Sequence, residues 1–221
     1  MNKDLIIKVC GMQDEENIQQ VAALGVNMLG FIFYPQSPRY ALKDLGDKEI
    51  LNFIHNDNTK SLINRVGVFV NEGFNNIVEI AEKYQLNYIQ LHGGESVEMC
   101  RQLKSRGYKI IKVFSIETEE DIAQTADFEN CADFFLFDTK CKNYGGSGKT
   151  FNWEILNAYT GNTPFILSGG ISMESIEAIK AFYHPRFAGI DLNSGFEIAP
   201  ALKDVNKLEL FINEIRDKLR K

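Results

Sequence analysis

Histidine is scarce for a chain of 221 residues: there are three, His55, His92 and His184, and they lie far apart. Zinc sites gather several imidazoles or thiolates together, so no metal is expected. The four cysteines, Cys10, Cys100, Cys131 and Cys141, form no CxxC pair and fall in different expected elements. That excludes a zinc knuckle and a disulfide framework, and it suits a reducing compartment. No apolar run approaches the ~20 residues of a membrane helix. The opening MNKDLIIKVCGM runs directly into an apolar strand, without the basic region, long apolar stretch and cleavage site of a secretory signal. A cytoplasmic chain with no membrane partner is expected. Clustered positive charge is missing too: the formal net charge is -6 and the lysines are dispersed. This argues against nucleic acid as a partner. A small phosphorylated ligand stays compatible with such a balance, because backbone amides hold phosphate without net positive charge.

What the chain does have is enough apolar residue for one sizeable core, 44% by composition. Its length is ordinary for one α/β barrel of up to ~250 residues. No linker, low-complexity segment or identity repeat divides it, so residues 1–221 read as a single domain. Short β-rich runs alternate with amphipathic ones eight times. The strands are expected at Leu5 to Val9, Met28 to Phe33, Arg65 to Val70, Tyr88 to Leu91, Ile110 to Phe114, from Phe134 up to Asp138, Pro164 to Leu167 and Phe187 to Leu192. Between them, sets such as Ile18, Val21 and Ala22 or Ile77, Ile80 and Ala81 have helical spacing. Thr118 and Asp121 have the spacing of a capping box, Ser172 can cap the helix next to it, and a further helix start is expected near Phe151 and Asn152. Eight such alternations predict a (β/α)8 TIM barrel. A doubly wound open sheet is the alternative, and it usually has fewer strands in this length.

Closing eight strands gathers their carboxyl ends at one rim, where barrels place their chemistry. There the sequence puts Cys10, His92, Asp138 and Asp191. Cys10 read alone is a small buried hydrophobe. At a strand end, close to helix N-termini, it is expected to form a thiolate more readily than its reference pKa of ~8.5 implies. Asp138 ends the apolar run FFLFD and is either a cap or a general acid. The second role needs burial or a nearby anion to raise a pKa that starts at ~3.9. An acid and a base of this kind are what proton shifting on a sugar requires.

Ser168, Gly169 and Gly170 after the seventh strand, with Asn193, Ser194 and Gly195 after the eighth, fall where barrels bind phosphate. Asp191 either receives a sugar hydroxyl or ties down the loop after it. Arg39, between Pro38 and Tyr40, has the fork to clamp a carboxylate. His92 can bond substrate, whereas His55 and His184 read as surface residues at helix ends. The run NYGGSGKT at 143–150 misses a P-loop by one residue, Asn143 standing where glycine is needed. Gly145, Gly146 and Gly148 suit a loop that covers substrate. Two other readings stay open: a Schiff-base aldolase using Lys8 or Lys112, and a barrel that binds a phosphate ligand without turnover.

The ordered set KVCGM at 8–12, GFIFYPQSPRY at 30–40, RVGVFVNE at 65–72, QLHGGE at 90–95, FDTK and YGGSGKTFNW within 137–153, LSGGI at 167–171 and GIDLNSGFE at 189–197 resembles the phosphoribosylanthranilate isomerases of tryptophan biosynthesis. It spans nearly the whole chain. The resemblance implies an Amadori rearrangement of a phosphoribosyl substrate without metal or organic cofactor, and no obligate protein partner is evident. It implies Asp138 as general acid, Cys10 as general base and Arg39 on the substrate carboxylate. It likewise implies His92 and Asp191 along the substrate, and Gly169, Gly170, Ser194 and Gly195 around the phosphate. Two positions depart from the family pattern: Asn193, where serine is common, and Ala201, where a glycine usually comes after the proline.

Overall fold

The structure is a computed structural model that describes residues 5–43, 48–56, 63–139 and 153–219. Eight parallel strands close into one barrel: β1 (Ile6–Cys10), β2 (Met28–Ile32), β3 (Asn64–Phe69), β4 (Tyr88–Leu91), β5 (Lys109–Ile116), β6 (Phe134–Thr139), β7 (Phe165–Ser168) and β8 (Phe187–Leu192). They pair in chain order, and β8 returns to β1. The expected (β/α)8 barrel is therefore the observed one, with no open edge for a doubly wound sheet.

Side-chain alternation along each strand sorts the residues into two layers. Ile7 and Val9 of β1, Phe135 and Phe137 of β6, and Phe165 and Leu167 of β7 face outward into the core between barrel and helices. The alternate positions, including Met28, Val66, Tyr88, Ile111, Val113, Leu136 and Ile166, fill the barrel interior. A truncation such as Phe137→Ala in the outer layer would cost roughly 3–5 kcal/mol by loss of burial and cavity formation.

The helices are α1 (Glu15–Ala23), α2 (Lys48–Asn56), α3 (Phe74–Lys83), α4 (Val97–Ser105), α5 (Glu119–Ala123), α6 (Ile176–Ala181) and α7 (Val205–Leu219). Asp14 caps α1 by accepting from the Asn17 backbone amide at 2.7 Å, and Glu15 and Glu16 complement its positive end. Asp121 accepts from the backbone amides of Glu117 and Thr118, both at 2.9 Å, as the capping-box spacing anticipates. The helix it starts lasts five residues before tightening into a 3-10 turn, Gln124–Phe128. After β7 the first turn is also 3-10, Met173–Ser175, and α6 begins only at Ile176.

β4 and β8 have the expected bounds, the other strands differ from expectation by one or two residues at one or both ends, and one difference matters. β1 runs through Cys10 instead of closing at Val9, so strand alternation turns the thiol inward. The helix start expected at Phe151 and Asn152 and the loop glycines Gly145, Gly146 and Gly148 lie outside the described residues; a 3-10 helix, Trp153–Ala158, leads on toward β7. A small antiparallel hairpin, β9 (Glu197–Ala199) and β10 (Leu202–Lys203), stands beyond β8 and was not anticipated. It is tied to α1, whose buried Asn17 donates to the Lys203 carbonyl at 3.0 Å and accepts from the Lys203 amide at 2.8 Å.

Candidate active site

Cys10 ends β1 with its side chain buried, facing Gly30 on β2. A methyl group built on Gly30 would stand 2.7 Å from Cys10 Sγ, so the absence of a side chain there makes the space for the thiol. The chain turns away at once through Gly11, whose φ of +76° suits glycine. Two positions below Cys10 on the same face is Lys8. Its strand register places it beside Asp191 of β8, and Nζ donates to Asp191 Oδ1 at 2.9 Å. Burial alone would depress the Lys8 ammonium, but the carboxylate of Asp191 and the neighbouring Cys10 hold its pKa above the usual lysine value.

Cys10 itself differs from the expectation of an acidified thiol. Burial pushes its pKa up, and the pull of the Lys8 and Lys203 ammoniums only partly offsets that. The helix-end argument underestimates the loss of water: a buried thiolate forfeits hydration that partial charges at helix termini do not replace.

Asp138 projects from the same face of β6 as Leu136, into the barrel mouth, half-buried between Ser115 of β5 and Ser168 of β7 in strand register. His92 comes directly after β4 and approaches it, Nε2 lying 3.9 Å from Asp138 Oδ2. Gln90 Nε2 is 3.3 Å from His92 Nδ1; with the amide in this orientation Nδ1 accepts and Nε2, on the Asp138 side, carries the ring proton. Burial, then the nearby Lys8 ammonium, lower the His92 pKa, so the ring is neutral at pH 7. The contact is thus one between a neutral ring and the Asp138 carboxyl group rather than a salt bridge.

The His92 loop is braced from below. Glu95 accepts from the amides of Asn71 (2.9 Å) and Gly93 (3.0 Å) and pairs with Lys112 at 2.9 Å. Lys112 Nζ also donates to the carbonyls of Gly93 at 2.6 Å and Leu91 at 3.3 Å. Both lysines considered for a Schiff base are therefore buried ammoniums held in ion pairs. Neither is the neutral, accessible amine that such chemistry needs.

Opposite stand the two glycine loops. Gly169 and Gly170 have φ of +92° and +64°, conformations open to glycine. Gly195 lies against the Ile171 backbone, where any Cβ would come within 2.2 Å of its carbonyl oxygen, so the two loops abut. Cys10, His92, Asp138, Asp191, Gly169, Gly170, Ser194 and Gly195 all line one cavity of about 210 Å³.

Arg39 does not line that cavity. Its Nε donates to Glu197 Oε1 at 2.8 Å and its Nη2 to Oε2 at 2.6 Å, a two-pronged pairing with a carboxylate of its own chain. Lys203 Nζ joins the same Glu197 at 2.6 Å and donates to Asn193 Oδ1 at 2.8 Å. Sequence reading missed Glu197 and Lys203, and it placed Asn193 in the phosphate loop without its Lys203 partner. A lysine and a glutamate six residues apart around Pro200 carry no distinguishing pattern until the hairpin brings them together. Lys8 did give a signal, a charge inside the otherwise apolar run IIKVC.

Among the described residues no cluster of three His, Cys, Asp or Glu side chains could hold a metal ion, and no helix is long and apolar enough to cross a membrane.

Residues 7–214 match the family profile described as N-(5'-phosphoribosyl)anthranilate (PRA) isomerase. A Parabacteroides distasonis protein named N-(5'-phosphoribosyl)anthranilate isomerase is 52% identical over 211 residues, covering 96% of this chain and 93% of the relative. The Thermotoga maritima phosphoribosylanthranilate isomerase superposes with a TM-score of 0.80 at 32% identity, covering 96% of this chain and 99% of that one. A similar isomerase, solved with reduced 1-(o-carboxyphenylamino)-1-deoxyribulose 5-phosphate, gives 0.79 at 27% identity, with coverage of 96% and 99%.

Proposed function

The chain belongs to the N-(5'-phosphoribosyl)anthranilate isomerase family, and from that membership we propose how its own residues carry the reaction. The reaction is the isomerisation of N-(5'-phosphoribosyl)anthranilate to the 1-(2-carboxyphenylamino)-1-deoxyribulose phosphate, a step of tryptophan biosynthesis.

One observation carries the residue assignment. The thiol of Cys10 and the carboxyl group of Asp138 project from the inward faces of β1 and β6 into one cavity, with the two abutting glycine loops on its wall. The 5'-phosphate lies against Gly169, Gly170, Ser194 and Gly195, where backbone amides of the two abutting loops can donate to its oxygens. Protonated Asp138 gives its proton to the furanose ring oxygen. The bond from C1 to that oxygen breaks, and the nitrogen lone pair forms a protonated imine at C1. Cys10, as thiolate, removes the proton from C2, and the electron pair of that bond flows to the cationic nitrogen. The resulting enolamine loses its C2 hydroxyl proton as C1 gains one, giving the ketose with no change in composition. The imine cation is the electron acceptor, so each step is a proton transfer.

His92, neutral and with its Nε2 proton toward Asp138, orients the acid. Asp191, held by Lys8, lines the floor beneath the sugar. Arg39 uses its Nε and Nη2 edge on Glu197, and we assign its Nη1 side to the anthranilate carboxylate. We further place the enzyme in the cytoplasm, as one catalytic domain over residues 1–221 whose partner is its small phosphoribosyl substrate.

The test is the fall in phosphoribosylanthranilate fluorescence under steady-state turnover. Cys10→Ala and Asp138→Asn should each lower kcat by at least ~100-fold, the scale of a general base or acid. Near-normal turnover in either variant removes that residue from its role.

A further inference from the structure

Lys8 takes no part in the proton transfers above, yet its ammonium lies in the barrel interior at 0% exposure. An ion pair in such a place is weak evidence for stability. Apolar residues of similar volume often replace one with no loss, because both ions give up hydration. A chemical reason lies next to it. Lys8 and Cys10 are two residues apart on β1 and point the same way. A methyl built on Gly30 would stand 2.7 Å from Cys10 Sγ and 3.2 Å from Lys8 Nζ, so thiol and ammonium face the same gap. Asp191 holds the ammonium from the adjoining strand through one of its three N–H groups, which leaves donors for the sulfur.

We propose that Lys8 is a positioning residue for Cys10: its ammonium, anchored by Asp191, compensates the negative charge that the sulfur acquires when it gives up its proton. This rests on the reading of Cys10 as the base. The other charged groups acting on the sulfur are Asp191 from β8, which opposes the thiolate, Lys203 from β10, which favours it, and Arg39 from the loop after β2. His92 and Asp138 face it across the cavity. Lys8 is the cation nearest in strand position, and burial of the thiol makes a compensating charge necessary.

The pH dependence of iodoacetamide alkylation, read by mass spectrometry on the Cys10 peptide, tests this without turnover. In Lys8→Met the alkylation midpoint should rise by at least ~1 pH unit, as expected when an adjacent opposite charge is lost. In Lys8→Arg, which keeps a cation at the same place, it should stay near the parent value. A midpoint that follows the charge at that position is not what general loosening of the fold would give. Should Lys8→Met fail to fold, the neutral pair Lys8→Met/Asp191→Asn must titrate above Asp191→Asn alone. A Lys8→Met midpoint that coincides with the parent's, or a pair midpoint that coincides with that of Asp191→Asn, overturns the proposal. The acid limb of kcat/KM should move with the alkylation midpoint in any variant that turns over. Alkylation decides the Lys8 to Cys10 coupling, whereas turnover in Cys10→Ala decides separately whether Cys10 is the base.

Discussion

Two rims of the cavity are built on the same device, a buried lysine paired with a glutamate, but they hold different things. At the β4 side, Lys112 and Glu95 bind backbone: the carbonyls of Leu91 and Gly93 and the amides of Asn71 and Gly93. At the β8 side, Lys203 and Glu197 chiefly bind side chains, Asn193 and Arg39. The first arrangement fixes a loop path, and with it the place of His92. The second sets the direction of one guanidinium through its Nε and Nη2. A backbone clamp should therefore register as stability, and a side-chain clamp as substrate affinity.

The largest effect should come from breaking the backbone clamp. Glu95→Ala leaves the Lys112 ammonium buried without its carboxylate and orphans two amides, a loss of roughly 3–5 kcal/mol in urea unfolding. An unfolding midpoint within error of the parent would show that the clamp is not structural. The same pair predicts the acid limb of stability. Burial opposes the Glu95 carboxylate, but Lys112 and the amides that donate to it outweigh burial and hold its pKa below the usual value. A depressed folded value means that its contribution is whole above the unfolded pKa of ~4.3. It is lost as pH falls from there through the folded value. In Glu95→Gln that part of the acid slope should flatten, while an unchanged slope would assign it to other carboxylates.

The side-chain clamp should show a smaller stability cost and a larger kinetic one. Glu197→Gln keeps an acceptor for Lys203, which also retains Asn193, so stability should fall by about 1–3 kcal/mol. Arg39 loses its charged anchor, and KM for phosphoribosylanthranilate should rise about tenfold, the equivalent of 1.4 kcal/mol, with kcat within about twofold. A kcat loss at constant KM would instead tie Glu197 to the proton transfers and dissolve the contrast between the two rims.

The barrel was legible because its signals are local. Runs such as FFLF before Asp138 mark strands covered on both faces, and the period-two alternation decides which residues meet inside. The same alternation brought Cys10, Asp138 and Asp191 to one mouth. What escaped was either distant or environmental. Arg39 and Glu197 meet across 158 positions, and no spacing rule connects them. The sign of the Cys10 shift depends on how little water reaches the thiol, a property of the closed barrel rather than of the stretch KVCGM. The shortness of the helices after β5 and β7 was not legible, because a capping signal marks where a helix starts and not how far it runs.

The smallest expected effect sits at the tip of the side-chain clamp, where β9 and β10 join through Pro200 and Ala201. Leu202 pairs back with Ala199, leaving a two-residue turn, and Ala201 adopts a φ of +68°. Proline at the first central position with positive φ at the second is the pattern of a type II turn, which favours glycine where this chain has alanine. The methyl costs roughly 1–2 kcal/mol of left-handed strain. Its burial returns at most ~0.8 kcal/mol, and glycine gives back a little more through unfolded-state entropy. Ala201→Gly should therefore raise stability by no more than about 1 kcal/mol, read as a small increase in the urea midpoint. KM should stay unchanged, because Glu197 and Lys203 already hold their partners in the strained turn. A lower midpoint would mean that the buried methyl outweighs the strain. A shifted KM would mean that the turn, and not the Lys203 ion pair, sets the direction of Arg39.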